Sequence, residues 1–166
     1  STAGTATIGG FICGGSGGVG SVRWGMLRDY GNILRIRVAT MEARPRILDF
    51  TGRDLARVSH AYGTNGVVTE IEMPLAPAWD WREAIVVFPE FMTSVEFAHA
   101  LATADGIEKK LVSVIGGPIW RMMRVLKPYG RDRTEGMVLA MVAAPFMESF
   151  HALVKEFGGT VTSEAS

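Results

Sequence analysis

Residues 84–115 read AIVVFPEFMTSVEFAHALATADGIEKKLVSVI, and this stretch decides the fold of the second half of the chain. It begins and ends with apolar runs rich in β-branched residues, at residues 84–88 and 111–115, which are typical of buried strands. Between these runs, apolar side chains recur at helical spacing within residues 94–104. The stretch therefore predicts a strand, a helix and a second strand.

The same rhythm recurs towards the end of the chain. Residues 137–143 form an apolar run, residues 146–157 carry an apolar stripe at helical spacing, and residues 160–163 follow two glycines that end the helix. A short helix that opens with proline is predicted between the two copies, at residues 118–126. Two such units in tandem predict an α+β fold, a ferredoxin-like (split βαβ) sandwich of four antiparallel strands under two helices.

The first half of the chain has a glycine-rich opening followed by short strands. A boundary is predicted near residue 77, because the two prolines of MPLAPAWDW (residues 73–81) end a strand and open an extended connection. Period-two patterns and the intervening turns predict a small sheet with a hairpin. The predicted strands are residues 33–40, 46–50 and 66–73, with a short helix at residues 54–61.

Arginine is concentrated in the first half, since eight of the thirteen arginines lie within residues 23–57. Four acidic residues oppose them there, which leaves a local excess of four positive charges. Arg35 and Arg37 alternate with apolar residues and are predicted to lie on the solvent face of a strand, solvated rather than bound to an anionic partner. For Arg23 and Arg28, a binding role and a local structural role both remain open.

The composition excludes several classes of protein. With 48% hydrophobic residues, 20% charged residues and no net charge over 166 residues, the chain is globular and has no general attraction to nucleic acid. The single cysteine, Cys13, excludes an internal disulfide and fits a cytoplasmic protein. The longest apolar run, residues 137–147, is broken by Pro145 and is too short for a membrane span. His99 and His151 lack metal-ligand spacing to other side chains, so no metal site is predicted.

Glycine is dense in residues 4–20, where apolar side chains are interleaved with it. A flexible linker would be polar. This pattern instead indicates a backbone that approaches a ligand closely, because a missing Cβ lets main-chain N–H groups converge on a phosphate or a flat heterocycle. No lysine follows as in a P-loop, and the Gly-x-Gly-x-x-Gly at Gly15, Gly17 and Gly20 has no strand before it, as a Rossmann motif would. We therefore predict a glycine loop of another kind.

Six short motifs follow one another within residues 7–70. They are Thr7-Ile8-Gly9-Gly10, Gly15-Ser16-Gly17-Gly18, Arg23-Trp24-Gly25, Arg28-Asp29, Thr51-Gly52-Arg53-Asp54-Leu55 and Gly63-Thr64-Asn65-Gly66-Val67-Val68-Thr69-Glu70. In this order they resemble the FAD-linked oxidases of the vanillyl-alcohol oxidase/p-cresol methylhydroxylase (PCMH) superfamily, specifically the glycolate oxidase D-subunit and D-lactate dehydrogenase branch. Each motif alone is weak, whereas six in register are specific.

The resemblance implies an internal fragment of a larger enzyme. Residues 1–77 would be the second half of a PCMH-type FAD-binding domain, and residues 78–166 the ferredoxin-like part of the cap or substrate domain. The partners of this fragment would be the missing N-terminal FAD subdomain, which holds the pyrophosphate, and the C-terminal catalytic part of the same chain. The intact enzyme would oxidise a small 2-hydroxy acid, such as D-lactate or glycolate, by hydride transfer to FAD. The fragment itself would hold no catalytic residue, be inactive and bind FAD weakly or not at all.

The flavin-contacting segments of the family match a defined set of positions, which act mainly through backbone groups. The implied FAD-binding residues are Thr7, Ile8, Gly9, Gly10, Gly14, Gly15, Ser16, Gly17, Gly18, Gly63, Gly66, Val67 and Val68. This sequence departs from the family at His60, Ala61, Tyr62 and Asn65, where glycine, serine, glutamate and leucine are usual. The alternative is a non-catalytic ligand-binding or interaction module of flavin-domain ancestry, since ferredoxin-like folds host both kinds of function.

Overall fold

Helices and antiparallel strands are mixed along the chain, which confirms the predicted α+β fold class. The computed structural model describes residues 4–15 and 17–166. The chain divides into two units, of which the first ends at Pro77 and the second begins at Ala78. Residues 73–80, which join the two units, form neither helix nor strand.

The first unit is built on a three-stranded antiparallel sheet. Its strands are β1 (Arg35–Ala39), β2 (Ile47–Thr51) and β3 (Val67–Glu72), in the order β2-β1-β3. Ile36 and Val38 of β1 are fully buried, whereas the other three residues of the strand are only half-buried. The three predicted strands and the hairpin of β1 and β2 are therefore confirmed, although β1 and β3 are shorter than predicted and β2 is shifted by one residue.

Strand β3 departs from a strict period of two. Its pairing register with β1 shifts between Arg37 and Val38, so that Thr69 is an extra residue in β3. This β-bulge lets both Val68 and Ile71 pack against the core of the first unit, although they are three residues apart. The alternation that the sequence predicts over residues 66–73 would have placed these two side chains on opposite faces.

Three short helices accompany the sheet of the first unit. They are α1 (Ile8–Gly14), α2 (Ser21–Trp24) and a 3₁₀ helix (Gly52–Arg57). Ile12 of α1 and Leu55 of the 3₁₀ helix pack in one core with Ile36 and Val38. The helix predicted at residues 54–61 is thus a 3₁₀ helix that begins two residues earlier and gives way to turns.

The second unit has two long helices and a four-stranded sheet. Its elements are β4 (Trp81–Phe88), α3 (Phe91–Thr103), β5 (Lys109–Gly116), α4 (Gly117–Trp120), β6 (Gly136–Ala143), α5 (Met147–Glu156) and β7 (Thr160–Ala165). The strands are antiparallel in the order β5-β6-β4-β7, with α3 between β4 and β5 and α5 between β6 and β7. This order and these two helical connections are those of a split βαβ unit.

Aromatic packing joins both long helices to this sheet. The ring centroid of Phe97 on α3 lies 4.9 Å from that of Phe88 on β4, 6.2 Å from that of Phe150 on α5 and 5.9 Å from that of Phe157. Phe88, Phe97 and Phe150 are fully buried. The two helices therefore share one core with the sheet. The stripe predicted for α5 is confirmed, since Phe150 and Val154 are buried. The stripe predicted for α3, Val95, Ala98, His99 and Ala102, was wrong, because the buried residues are Ser94, Phe97, Ala98 and Leu101.

The helix predicted at residues 118–126 ends early, at Trp120. The side chain of Trp120 is buried, and its indole N–H donates to the carbonyl of Glu135 at 3.4 Å. Beyond it, the N–H groups of Met122 and Met123 donate to carbonyls three residues earlier, so turns replace the α-helix.

The longest helix, α3, has 13 residues. Among the helices in residues 4–15 and 17–166, none has the length and apolar character needed to cross a membrane.

Candidate functional site

The predicted glycine loop contains a helix, α1. Its N-cap is Thr7, whose Oγ1 accepts a hydrogen bond from the N–H of Gly10 at 3.1 Å. It ends at Gly15, which has a φ of 62° and donates its N–H to the carbonyl of Ile12 at 3.1 Å. The prediction of a loop was wrong here. A threonine cap, a left-handed glycine and the burial of Ile12 together outweigh the cost of glycine within the helix.

The carboxyl end of α1 is tied to the turn at residues 58–63. The N–H groups of His60 and Tyr62 donate to two successive carbonyls of α1, at 3.1 and 2.9 Å. The second of these carbonyls directly precedes Gly14, and Tyr62 directly precedes Gly63. These bonds therefore bring two separate segments of the predicted FAD-binding set to one edge of the first unit.

His60 and Tyr62 have unusual backbone conformations. Their φ angles are 61° and 51°, in the left-handed region that favours glycine. Nε2 of His60 lies 3.0 Å from the hydroxyl oxygen of Tyr62, and the two ring centroids are 5.2 Å apart. The sequence identified these residues only as departures from the resembled family. The glycine usual at position 60 was the signal that a left-handed residue is needed there.

Two glycines of the predicted FAD-binding set are required by the fold itself. Gly66 has a φ of 132°, and a Cβ there would lie 2.5 Å from Cγ1 of Val38 and 2.7 Å from the carbonyl oxygen of Ala39. A Cβ on Gly15 would lie 2.4 Å from Cγ of the His60 ring. Both close approaches explain the glycines without any ligand.

Gly9 and Gly17 differ from those two positions. A Cβ on Gly9 would meet no atom of residues 4–15 or 17–166 within 4 Å, and a Cβ on Gly17 would lie 3.5 Å from Oγ of Ser21, an ordinary contact. Glycine within a helix is about 1 kcal/mol less favourable than alanine. The fold does not need glycine at these two positions. Only Gly9 lies within a helix, and there the missing side chain leaves the backbone open to close approach.

The other predicted FAD-binding residues have varied surroundings. Ile8 and Val67 are exposed, whereas Val68 packs in the core of the first unit. A Cβ on Gly63 would meet open space, although its φ is 76°. Ser16 lies outside the described residues. The part of the set that the structure describes is therefore not gathered into one cleft.

The first unit contains a cleft of about 360 Å³, named here the apolar cleft. Among its lining residues are Phe11, Gly18, Trp24, Leu75 and Pro77. Gly18 belongs to the predicted FAD-binding set, and a Cβ there would lie 3.0 Å from the Phe11 ring. The size is within the range of small-molecule sites, and the walls suit a flat apolar group. The sequence did not predict this cleft.

A second cleft, of about 500 Å³, lies between residues 27–34 and residues 52–60 of the first unit. Arg28, Arg53 and His60 line this arginine cleft together with apolar side chains. Of the predicted FAD-binding residues that the structure describes, none lines it.

Arg35 and Arg37 lie on the face of β1 opposite the core, as predicted, but they form an ion-pair network with carboxylates of the neighbouring strands, which the sequence did not predict. Arg37 donates to Oδ1 of Asp49 at 2.9 Å and to Oε1 of Glu70 at 2.7 Å, and Arg35 donates to Asp49 at 3.0 Å and to Glu72 at 3.3 Å. The register places Asp49 and Glu70 directly opposite Arg37 on the two neighbouring strands. Hydrogen bonds from Arg37 and then Arg35 hold the pKa of Asp49 below its usual value.

We expect this network to make the first unit sensitive to acid through Asp49. The carboxylate has a lower pKa in the folded than in the unfolded state, so it stabilises the fold above its unfolded pKa of about 3.9. That contribution is lost as the pH falls through the folded value. The urea midpoint of Asp49→Asn should therefore fall less steeply than that of the wild type between about pH 6 and pH 2.

Asp105→Asn is the control for this pH series, because the Asp105 carboxylate has no hydrogen bond or ion pair with any residue that the structure describes. Its profile should follow the wild type. Parallel profiles for the wild type and Asp49→Asn would show that the network does not contribute to acid stability.

The remaining candidate side chains do not form a metal centre. Nε2 of His151 lies 3.0 Å from Oε2 of Glu164, a carboxylate neighbour that sequence spacing does not reveal. Cys13 is half-buried at the end of α1 and forms no disulfide. Within residues 4–15 and 17–166, no group of three or more His, Cys, Asp or Glu side chains could hold a metal ion.

Two solved structures share the fold of this chain. Both are of alkyldihydroxyacetonephosphate synthase, in space groups P1 and P212121, with TM-scores of 0.73 and 0.71 and sequence identities of 15% and 14%. The matches cover 97% and 96% of this chain and 34% of each of those chains, so this chain spans about a third of their length. No protein-family model matches the chain, and no curated protein matches its sequence. These comparisons define a fold class: the chain has an α+β fold that also occurs in part of a longer synthase.

Proposed function

We propose that this chain is part of an FAD-dependent oxidoreductase of the PCMH type. The first unit is assigned to the second half of the FAD-binding domain, and the second unit to the cap or substrate domain. The six motifs within residues 7–70 support this assignment. The fold comparison also supports it, because nearly all of this chain shares its fold with about a third of a larger synthase.

The observation that carries the proposal is the open space beside Gly9 on helix α1. Gly9 lies within a helix, where glycine is unfavourable, yet no residue that the structure describes occupies the space of its missing side chain. A ligand that approaches the helix backbone closely accounts for this glycine. The turn at residues 58–63, which includes Gly63, bonds to the carboxyl end of the same helix. We propose that Gly9 and Gly63, where a Cβ would meet no residue that the structure describes, contact a flat cofactor through main-chain groups.

The residues assigned to FAD act by binding and orientation. Gly9, Gly10 and Gly17 present backbone without side chains, and Gly63 lies on the turn beside the end of α1. When bound, FAD supplies the hydride acceptor, and the protein supplies position and electrostatics. We assign no catalytic role to any residue of this chain.

The proposed substrate is a D-2-hydroxy acid such as D-lactate or glycolate, which follows from the branch that the motifs resemble. The test is anaerobic stopped-flow mixing of the intact, flavin-loaded protein with D-lactate, glycolate and L-lactate. D-lactate or glycolate should bleach the absorption band of oxidised flavin.

Each other outcome of this experiment excludes a part of the proposal. Bleaching by L-lactate but by neither D-lactate nor glycolate would contradict the D-configuration of the substrate. A flavin-loaded protein that none of the three acids bleaches would contradict the substrate class. An intact protein that neither contains nor takes up flavin would favour the non-catalytic module.

A further inference from the structure

The arginine cleft is an independent candidate site, because its walls combine cations with apolar side chains. Leu27 and Ile33 come from the segment before β1, and Leu55 comes from the 3₁₀ helix. Arg28 and Arg53 lie on the same two segments. A volume of about 500 Å³ is within the range of small-molecule sites.

The two arginines of this cleft differ from most arginines of the first unit, because they have no partner among the residues that the structure describes. Arg35 and Arg37 bond to carboxylates across the sheet, Arg46 pairs with Glu42, and Arg57 pairs with Asp54. In contrast, the side chains of Arg28 and Arg53 form no hydrogen bond or ion pair with any residue in the described ranges 4–15 and 17–166. Ion pairs therefore neutralise much of the positive charge that the sequence showed in residues 23–57. Arg28 and Arg53, which have no such pair among the described residues, both line the arginine cleft.

Asp29 does not neutralise these arginines by direct contact. Its Oδ2 accepts a hydrogen bond from the N–H of Met26 at 2.7 Å, which holds the carboxylate on the preceding turn. Counting Arg28, Arg53 and Asp29, the cleft carries one net positive charge. That charge matches a monoanion, and the planar guanidinium groups match the two oxygens of a carboxylate.

The His60 side of the cleft is held in place by the fold. His60 adopts a φ of 61°, its N–H donates to a carbonyl of α1, and its Nε2 is engaged with Tyr62. The side chain of Asn65 donates to the carbonyl of Arg57, which closes the same turn. Left-handed residues other than glycine are strained and are often found at ligand sites.

We propose that the arginine cleft binds a small organic carboxylate, with the carboxylate held by Arg28 and Arg53 and the apolar portion against Leu27, Ile33 and Leu55. The site uses residues outside the predicted FAD-binding set, and binding requires neither flavin nor turnover. It can therefore fail or succeed independently of the proposed oxidoreductase function.

The experiment is a titration of the ¹⁵N-labelled protein followed by NMR, with phenylpropionate as the probe. Phenylpropionate should shift the amide signals of residues 27–34 and 52–60. Arg28→Gln and Arg53→Gln should each weaken binding about tenfold, and the double variant more than either. Arg44→Gln is the matched control, because Arg44 also has no partner among the described residues but does not line the cleft. This control should bind as the wild type does.

Three outcomes would overturn the assignment. Equal binding of phenylpropionamide, the neutral analogue, would show that the arginines do not recognise the ligand. An equal loss of affinity in Arg44→Gln would show general charge attraction instead of a site. Tighter binding of phenyl phosphate than of phenylpropionate would make the ligand a phosphate ester and contradict the carboxylate.

Discussion

Gly66→Ala is expected to lower the free energy of unfolding by about 3 kcal/mol. Gly66 has a φ of 132°, which is unfavourable for any residue with a side chain. The new Cβ would also lie 2.7 Å from the carbonyl oxygen of Ala39 on the neighbouring strand. Relief of that contact would require β3 to move away from β1, at the position where the two strands begin to pair. Urea unfolding followed by circular dichroism measures the change.

Gly63→Ala is the matched control for that variant. It shares a positive φ, 76°, but a Cβ there would meet nothing within 4 Å. It should therefore show only the conformational cost of a left-handed alanine, about 1 kcal/mol. Equal losses in the two variants would show that the close approach of Gly66 to β1 is unimportant.

Gly9→Leu is expected to weaken FAD binding by the intact protein about a hundredfold, which corresponds to about 2.7 kcal/mol. The leucine side chain would fill the open space on α1 through which we propose that the flavin approaches. The free energy of unfolding should not fall, because leucine favours a helix more than glycine does. Fluorescence titration with FAD measures the affinity, and urea unfolding measures the stability.

Gly106→Leu provides the control for this prediction. Gly106 is exposed in the second unit, and a Cβ there would also meet nothing within 4 Å. Its affinity for FAD should equal that of the wild type. Unchanged FAD affinity in Gly9→Leu would contradict the assignment of α1 to the flavin site.

Side-chain periodicity predicted most of the strands and both long helices. Ile36 and Val38 alternate with half-buried arginines in β1, and Phe150 and Val154 of the stripe predicted for residues 146–157 became core residues of α5. These patterns are local, because each lies within one helix or one strand. The bulge at Thr69 was not predictable in this way, because a register shift depends on the partner strand.

The candidate site was predictable only in part. The motifs singled out the glycines of α1, but glycine content alone suggested a loop, although the Thr7 and Gly15 caps were present in the sequence. The arginine cleft depends on how residues 27–34 meet residues 52–60, and no local pattern contains that information. The partners of Arg35 and Arg37 likewise come from other strands, so the sequence showed an excess of charge where the fold forms ion pairs.

Hydrogen–deuterium exchange of the intact protein, with and without FAD, tests most directly whether the first unit contributes to a flavin pocket. We predict that FAD slows amide exchange in residues 7–18 and 63–68, while the exposed turn around Gly106 exchanges at the same rate in both samples. Saturation with FAD that leaves exchange in residues 7–18 and 63–68 unchanged would contradict the account.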